Sequence, residues 1–482
     1  MIRSAVAALA VLAYAGVIPG ALSAQGGLSP ADSALVGRIL LAEDRRDSTD
    51  TALGKGERHG DERIRLLARR ARGRIADPQF AARQSLPPLP PPPVWPEPEW
   101  KARYRALTDR QADCPLMRTA LADSAWPVRL RAADLADATC GTDSVIVGTL
   151  RQWVDGLTRD VSRRTRGGVA WQAGAHAAVA LARIAPAQLD SRIHRLARHP
   201  RWEVRSYAAR AAAQRGDTAV LRRMARDPND NVKDVAITEL ARLAGHRADD
   251  VYIAALGARG PQAVRSAAVA LKGSTHARAR PALERALARW RLRGSETEHD
   301  VRVALLEALG RPATGRAAAR LPLPRRAVPL ALGQDVRLRV EIAPASGGGS
   351  FTVRLRGDVA PMMAARVLAL ADSGYYDGLT WQRVEHDFVI QGGSPDANEY
   401  VGYPRYFRDE LGNVSHVRGT VGMSTRGHDT GDAQWFFNLK DNTRLDRDFT
   451  VFAEVTEGMD VVDAILEGDT IARVREVRVA RR

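Results

Sequence analysis

The stretch TWQRVEHDFVIQGG, from Thr380 to Gly393, carries the main clue to the fold of this 482-residue chain. It is mostly apolar and reads as a buried strand, yet it contains Arg383 and Gln391 ahead of a Gly-Gly pair. A charged side chain on an apolar strand is costly unless it has a partner or a function. Arg383 and Gln391 are therefore candidate functional residues.

The sequence around this stretch predicts a small closed β-barrel. After Gly333, the segments DVRLRVEIAP and SFTVRLRG alternate as paired strands do, and SGGGS joins them. This glycine run lacks the Lys-Ser/Thr of a phosphate-binding loop, so a hairpin turn is the better interpretation. One helix is predicted from Ala360 to Gly374, and short strands with few helices are typical of a closed barrel with a few capping helices.

Five motifs between about Val336 and the end of the sequence resemble the cyclophilin-type peptidyl-prolyl cis-trans isomerases. In chain order they are YYDG at 375–378, Arg-x4-Phe-x2-Gln-Gly-Gly at 383–393, GMS at 422–424, AQWFFN at 433–438, and LD at 445–446 ahead of VF at 451–452. Because all five occur in the right order and spacing, the resemblance is specific. It implies a cyclophilin-like barrel that isomerises X-Pro peptide bonds without a cofactor or a metal.

By this resemblance, Arg383 matches the catalytic arginine. Gln391 matches the glutamine that binds the substrate backbone and helps to orient that arginine. The other matched positions are expected to line the substrate groove: Phe388, Val389, Ser424, Gln434, Phe436, Leu445 and Phe449. Taken from the residues alone, Phe388, Phe436 and Leu445 also fit an ordinary core, and Gln391 also fits a residue that satisfies backbone groups.

Two positions depart from the family pattern. Phe449 stands where the family commonly has a histidine, so the rate and substrate preference are expected to differ from those of typical members. Arg444 replaces a tryptophan of some members that contacts the inhibitor cyclosporin, so sensitivity to it is left open. The nearby histidines His386, His416 and His428 lack metal-ligand spacing and are predicted to be surface or loop residues.

Residues 110–310 are rich in Ala, Leu and Arg with a helical apolar period. A phrase recurs in which an acidic or turn segment precedes a valine, a basic residue and an Ala-rich helix. The marker valines are Val128, Val204, Val232, Val264 and Val301. Their spacings of 28, 32 and 37 residues, with one double gap of 76, are typical of stacked helix pairs. The phrases resemble HEAT repeats over roughly 30–320, with an earlier copy beginning at Asp61, and an irregular helical bundle is the alternative.

Proline-rich segments mark the organisation of the chain. SLPPLPPPPVWPEPEW, at 85–100, is expected to be extended and to act as a rigid connector or clamp along the solenoid. A ligand for a proline-binding partner is the alternative. The predicted chain is multidomain: a signal peptide at 1–24, an all-α HEAT-like solenoid at 25–320, a linker at 321–333, and a cyclophilin-like domain at 334–482.

The start of the sequence predicts export. Arg3, an apolar stretch and a small-residue site at Leu22-Ser23-Ala24 are typical of a secretory signal peptide, with an uncleaved helix as the alternative. We expect a periplasmic or secreted bacterial protein without a transmembrane segment. In a solenoid, Cys114 and Cys140 would lie at the same end of one helix pair, so a disulfide is expected in an oxidising compartment. Two unrelated thiols are the alternative.

The formal net charge of +16 is unevenly distributed, with −5 on residues 333–482 and +21 on the preceding residues. A basic surface attracts acidic polymers, lipids or nucleic acid, but a solvated helical surface is the simpler explanation, and we expect no specific nucleic-acid partner. The predicted function is isomerisation of X-Pro bonds in exported clients, with the repeats as a protein-docking scaffold. The alternative is a non-catalytic scaffold that binds proline-containing peptides.

Overall fold

The structure, a computed structural model, describes residues 28–77, 90–110, 112–159, 171–313 and 320–477. The predicted signal peptide and residues 85–89 of the proline-rich segment lie outside the described residues. Within these ranges, no helix combines the length and apolar character needed to cross a bilayer.

The described residues contain nineteen α-helices. In chain order they are α1 (Pro30–Arg45), α2 (Thr51–Glu57), α3 (Glu62–Ala76), α4 (Trp100–Asp109), α5 (Cys114–Ala120), α6 (Trp126–Leu135), α7 (Ser144–Arg159), α8 (Trp171–Ile184), α9 (Ile193–Leu196), α10 (Trp202–Gln214), α11 (Thr218–Met224), α12 (Asp230–Ala244), α13 (Asp249–Ala255), α14 (Pro261–Ala270), α15 (Ala279–Arg291), α16 (His299–Ala308), α17 (Ala327–Ala331), α18 (Pro361–Asp372) and α19 (Met459–Ala464).

The helical repeats are confirmed. The five marker phrases open α6, α10, α12, α14 and α16, and the unit missing from the double gap opens α8. These six helices pack each on the next, and one continuous core runs from Leu107 to Leu309. At the start of α12, the Asn229 side chain accepts the backbone N–H groups of Asn231 and Val232, which fixes where that helix begins.

The three N-terminal helices are part of the C-terminal core rather than of the solenoid. Their buried apolar residues share one cluster with the sheet. The Asp44 carboxylate of α1 forms two 2.8 Å bonds with Arg366 of α18, and Arg74 of α3 donates to the Val359 carbonyl at 2.9 Å. The predicted repeat copy at Asp61 is therefore wrong in its packing, although it does open a helix. A helical period predicts an apolar face but does not identify the neighbour that covers it.

The proline-rich segment also lies on the C-terminal domain. Residues 90–99 are not helical, and the Pro90 carbonyl accepts bonds from Arg354 at 2.9 Å and Arg356 at 3.1 Å. The Trp95 indole donates to the Val455 carbonyl at 3.2 Å. The described part of this segment therefore contacts the C-terminal domain as well as the solenoid, where Glu97 accepts from Arg105 of α4 at 2.6 Å. Its role as a connector or clamp stays a prediction. The predicted linker at 321–333 likewise contains a buried helix, α17, which packs on α1 and α18.

The C-terminal domain is built on one curled antiparallel sheet. Its eight strands are β1 (Arg337–Ile342), β2 (Ser350–Leu355), β3 (Arg383–Val384), β4 (Val389–Gly392), β5 (Thr420–Met423), β6 (Trp435–Asn438), β7 (Val451–Glu457) and β8 (Ile471–Val477). Their order across the sheet is β3-β4-β6-β5-β7-β2-β1-β8. Helix α18 packs on β7 and β8, and α19 packs on β2. Closure of the sheet into a barrel and capping of its ends by helices stay predictions.

The two cysteines are joined within one helix pair of the solenoid. Cys114 begins α5, and Cys140 lies in the turn after α6. Their sulfur atoms are bonded, and their Cα atoms are 5.4 Å apart, a normal separation for a disulfide.

Candidate active site

The candidate site begins with one row of residues across four neighbouring strands. Arg383 on β3 is the register partner of Gln391 on β4, which pairs with Phe436 on β6, which pairs with Gly422 on β5. Side chains of directly paired residues lie on the same face of a sheet. The alternate residues on these strands belong to the core on the opposite face, among them Ile390 and Phe437. The eight-residue spacing of Arg383 and Gln391 thus places both on one groove-forming face.

Glycine at 422 is required by the close approach of an aromatic ring. A Cβ atom at this position would lie 2.3 Å from Cζ of Phe436. Any side chain there would displace the Phe436 ring from the groove, so the GMS motif has a steric reason.

An apolar pocket lies beside the row. Val389, Phe436 and Leu445 form a small buried cluster of their own, with Phe388 and Phe449 packed against it. This cluster is separate from the core on the opposite face of the sheet. The same five residues line a cavity of about 140 Å³ that Arg383, Gln391 and Ser424 also border. The separation from the core argues against the ordinary-core interpretation of Phe388, Phe436 and Leu445.

The Arg383 guanidinium is anchored at the rim of this pocket. Its Nε and Nη2 atoms donate to Oε1 of Glu385 at 2.8 and 2.6 Å, and its Nη1 lies 3.4 Å from Oε1 of Glu399. The side chain is 37% exposed. The Cζ atom of its guanidinium lies 5.8 Å from the centre of the Phe388 ring, so the cation borders the apolar pocket directly. On the same ring, the Arg444 guanidinium stacks at 4.5 Å.

The hydrogen bonds of Gln391 differ from the expectation. Its Nε2 donates to Oγ of Ser424 and to Oε1 of Gln434, both at 3.1 Å. Gln434 in turn is held by Gln382, whose Nε2 donates to the same oxygen at 2.9 Å. Among the described residues, Arg383 is oriented by two glutamates, and the Gln391 amide is oriented by Ser424 and Gln434. The expected bond from Gln391 to the arginine is therefore absent from these contacts.

His416 lies in the loop ahead of β5, one of the two predicted locations, but it is not at the surface. The residue is fully buried, and its ring stacks on Phe436 with centroids 5.5 Å apart. Burial lowers its pKa below 6.5. A neutral ring satisfies both contacts, because Nε2–H can donate to the Phe449 carbonyl at 3.1 Å while Nδ1 accepts from Asn438 at 3.2 Å. His416 therefore supports two walls of the pocket from behind.

The other two histidines differ in burial. His386 lies in the turn between β3 and β4, which agrees with the predicted loop location, but it is buried. Its ring lies edge-on to Trp100 at 5.6 Å and near Tyr104 at 6.1 Å, both on α4. Burial lowers its pKa to about 3. His428 is about half exposed and lies 3.5 Å from Asp409. In the part of the chain that the structure describes, no three His, Cys, Asp or Glu side chains form a metal-binding group.

Sequence reasoning missed three residues that line the cavity, namely Glu399, Thr425 and Arg426. They lie in loops, where no periodic pattern indicates which side chains face a groove. Arg426 is bound within the protein, with its Nη1 on Asp432 at 3.1 Å and its Nε 2.5 Å from Asp300 of α16.

Comparison with known proteins agrees with this geometry. Residues 339–481 match the family described as cyclophilin type peptidyl-prolyl cis-trans isomerase/CLD, and residues 189–272 match HEAT repeats. A peptidyl-prolyl cis-trans isomerase of Helicobacter pylori (strain J99) is 35% identical over 130 residues, which is 26% of this chain and 80% of that protein. The chain belongs to the cyclophilin-type peptidyl-prolyl cis-trans isomerase family, and its enzyme class is that of the isomerases.

Two further relatives differ in how much of their own length the match covers. Peptidyl-prolyl cis-trans isomerase B of Bacillus subtilis (strain 168) is 34% identical over 130 residues, covering 27% of this chain and 91% of that protein. The match to peptidyl-prolyl cis-trans isomerase-like 2 of Gibberella zeae is 36% over 119 residues but spans only 21% of that protein's length. A solved cyclophilin-type isomerase from Cryptosporidium parvum gives a TM-score of 0.29 at 21% identity, covering 30% of this chain and 99% of that structure.

Proposed function

We propose that the chain catalyses rotation about X-Pro bonds by a non-covalent, electrostatic mechanism centred on Arg383. Rotation is slow because amide resonance sets a barrier of about 18–20 kcal/mol. As the bond twists, the prolyl nitrogen gains lone-pair character, and a fixed cation directed at it stabilises the twisted form. The observation that carries the proposal is the anchored Arg383 guanidinium 5.8 Å from the Phe388 ring, at the rim of an apolar pocket.

In this mechanism the apolar pocket binds the proline, and Arg383 at the rim donates hydrogen bonds. The apolar walls from Phe388, Val389, Phe436, Leu445 and Phe449 hold the proline ring. The described contacts of Arg383 engage at most three of the five N–H groups of its guanidinium, so donors remain for the substrate.

Backbone binding falls to the glutamines. The Gln391 amide is already fixed by Ser424 and Gln434. Its two N–H groups are used in these bonds, so its Oε1 is preorganised to accept a backbone N–H of the peptide next to the proline. No nucleophile, cofactor or metal enters this mechanism.

A protease-coupled isomerisation assay on the full chain tests the proposal. We expect Arg383→Ala to lower kcat/KM at least about tenfold, equivalent to about 1.4 kcal/mol of transition-state stabilisation. Arg339→Ala is the matched control, because Arg339 is an exposed arginine of the same sheet that does not line the cavity. Equal rates for the wild type and Arg383→Ala would refute the catalytic role.

The second candidate function is a non-catalytic scaffold that grips proline-containing segments. Phe449 favours it, since the ring closes the pocket edge-on to Phe436 at 5.6 Å where the family commonly has a hydrogen-bonding histidine. In that case the peptide binds with ordinary affinity but its isomerisation is not accelerated.

We also propose that the clients are exported proteins and that the chain works in the periplasm or outside the cell. The disulfide between Cys114 and Cys140 supports this, because such bonds persist in oxidising compartments.

A closed barrel is likewise proposed, supported by the isolated bridge between Thr380 and Thr470, which joins the segments ahead of β3 and β8.

Client docking on the repeats is a further part of the proposal. Helices α12 and α14 contact the chain's own sheet domain in their N-terminal halves, through Asn231 and Arg265. The docking surface is therefore assigned to the helices that alternate with them, such as α11, α13 and α15. On α15, for example, Arg285 and Arg289 are exposed and lie four residues apart on one face. A basic face of this kind suits acidic clients. Pull-downs at increasing salt concentration test this, and binding that does not weaken with salt would contradict it.

A further inference from the structure

The loop between β4 and β5 connects the repeats to the active site. We name residues 394–407 the groove loop. Three successive repeat units contact it from one side, near the marker valines Val232, Val264 and Val301, and the active-site groove contacts it from the other.

The first two repeat contacts come from α12 and α14. Asn231 donates to the Asp396 carbonyl at 2.7 Å and accepts from Nδ2 of Asn398 at 3.0 Å. The Arg265 guanidinium stacks 4.9 Å from the centre of the Tyr400 ring, and its Nη1 donates to the Tyr400 hydroxyl at 3.3 Å. A cation over an aromatic face, backed by a hydrogen bond, is a directional contact.

The third contact comes from the residues just ahead of α16. The backbone N–H of Glu296 donates to the Pro404 carbonyl at 3.0 Å, and its carboxylate accepts the N–H of Tyr406 at 2.6 Å. The loop is therefore held at three points along its length. Because fixing a loop of this length costs conformational entropy, the contacts with the repeats add to its order, beside its bonds to the sheet domain at Tyr403 and Phe407.

On the groove side, Glu399 in the middle of the loop lies next to Arg383. The Glu399 carboxylate lies 3.4 Å from Nη1 of Arg383. The Glu399 carbonyl accepts bonds from Arg426 and, at 3.3 Å, from Nε2 of Gln434. Glu399 and Tyr400 are adjacent in sequence. Tyr400 contacts Arg265 of the repeats, and Glu399 contacts Arg383.

We propose that the repeats preorganise the active site, with Arg265 and Glu399 as positioning residues for Arg383. Arg265 fixes Tyr400, the adjacent Glu399 is thereby held beside the guanidinium, and the guanidinium keeps its direction toward the prolyl nitrogen. This inference rests on the proposed isomerase function. It assigns the repeats a role within the catalytic unit, besides any recruitment of clients.

A double-mutant cycle on the full chain tests the inference. The variants are Glu399→Ala, Arg265→Ala and the double variant, with kcat and KM measured separately on one X-Pro peptide. We expect each single variant to lower kcat about threefold to tenfold while KM changes less than about twofold, because only transition-state stabilisation is lost. Since Arg265 acts through Glu399, the double variant should match Glu399→Ala rather than show the product of both losses.

Two further variants separate positioning from a general loss of structure. Arg265→Lys retains the cation over the ring and should recover most of the activity. Arg242→Ala is the matched control, because Arg242 is an exposed arginine of α12 paired with Glu239 of its own helix, and it should behave as the wild type.

The outcomes are distinguishable from those of the proposed function. If Arg383→Ala is as active as the wild type, the isomerase mechanism fails, whatever Arg265 does. If Arg383→Ala is impaired but Arg265→Ala is fully active, or if the losses of Arg265→Ala and Glu399→Ala multiply, the positioning inference is overturned while the mechanism stands.

Discussion

The buried ion pair between Asp44 and Arg366 gives a quantitative test of the finding that the N-terminal helices belong to the isomerase domain. Both side chains are nearly inaccessible, at 3% and 6% exposure, and two bonds of 2.8 Å join them. Removing one partner of such a pair leaves an uncompensated buried charge and costs about 3–5 kcal/mol. We therefore expect Asp44→Ala to lower the free energy of unfolding by about that amount.

The assay is urea denaturation of the full chain combined with hydrogen exchange of α18 peptides, which reports on the sheet domain specifically. Glu57→Ala, at the exposed pair of Arg72 and Glu57, is the control and should cost at most about 1 kcal/mol. Asp44→Ala with Arg366→Met removes both charges and should recover most of the loss. A cost below about 1 kcal/mol for Asp44→Ala, with unchanged exchange in α18, would refute the shared core.

Three other perturbations have defined outcomes. Replacing Cys114 and Cys140 with serine should lower the free energy of unfolding of the solenoid by about 3.5 kcal/mol, from the 26-residue separation that the disulfide closes; a melting curve unchanged by the substitution would contradict this. Burial lowers the pKa of His386 to about 3, so its contribution to stability is complete above about pH 6.5 and is lost as the pH falls toward 3. At pH 5 the loss is about 2 kcal/mol, and His386→Phe should remove that part of the acid sensitivity, whereas equal pH profiles in denaturation would show that the ring is not buried neutral. Phe449→Ala should raise KM for X-Pro peptides about tenfold with little change in kcat, since it removes a wall that binds the proline equally in ground and transition states; an unchanged KM would show that Phe449 does not touch the substrate.

The residues of the site were predictable to the extent that strand register brings them together. Arg383, Gln391 and Phe436 are far apart or oddly spaced in sequence, but an alternating pattern with fixed pairing places them in one row. The family motifs point to these residues without any knowledge of the contacts, although Gln434, also expected in the groove, is not among the residues that line the cavity. Their assignment to catalysis remains a prediction.

What the sequence did not predict depends on contacts between distant segments. Glu399 lies in a loop that contacts the repeats. His416 is buried against the rings of Phe436 on β6 and Phe449 just ahead of β7. The apolar faces of α1 and α3 were visible as helical periods, but the choice between the solenoid and the sheet as their neighbour depends on shape and on the pairing of Asp44 with Arg366. Local periodicity carries no information about such partners.

The most direct test of the central claim is cis–trans exchange of an X-Pro peptide measured by NMR with a catalytic amount of the full chain. Uncatalysed exchange takes tens to hundreds of seconds. The account predicts that the wild type accelerates exchange well below stoichiometric concentration and that Arg383→Ala loses at least about tenfold of this acceleration while still binding the peptide. Binding of the peptide by the wild type with no change in its exchange rate would contradict the account and establish the non-catalytic scaffold instead.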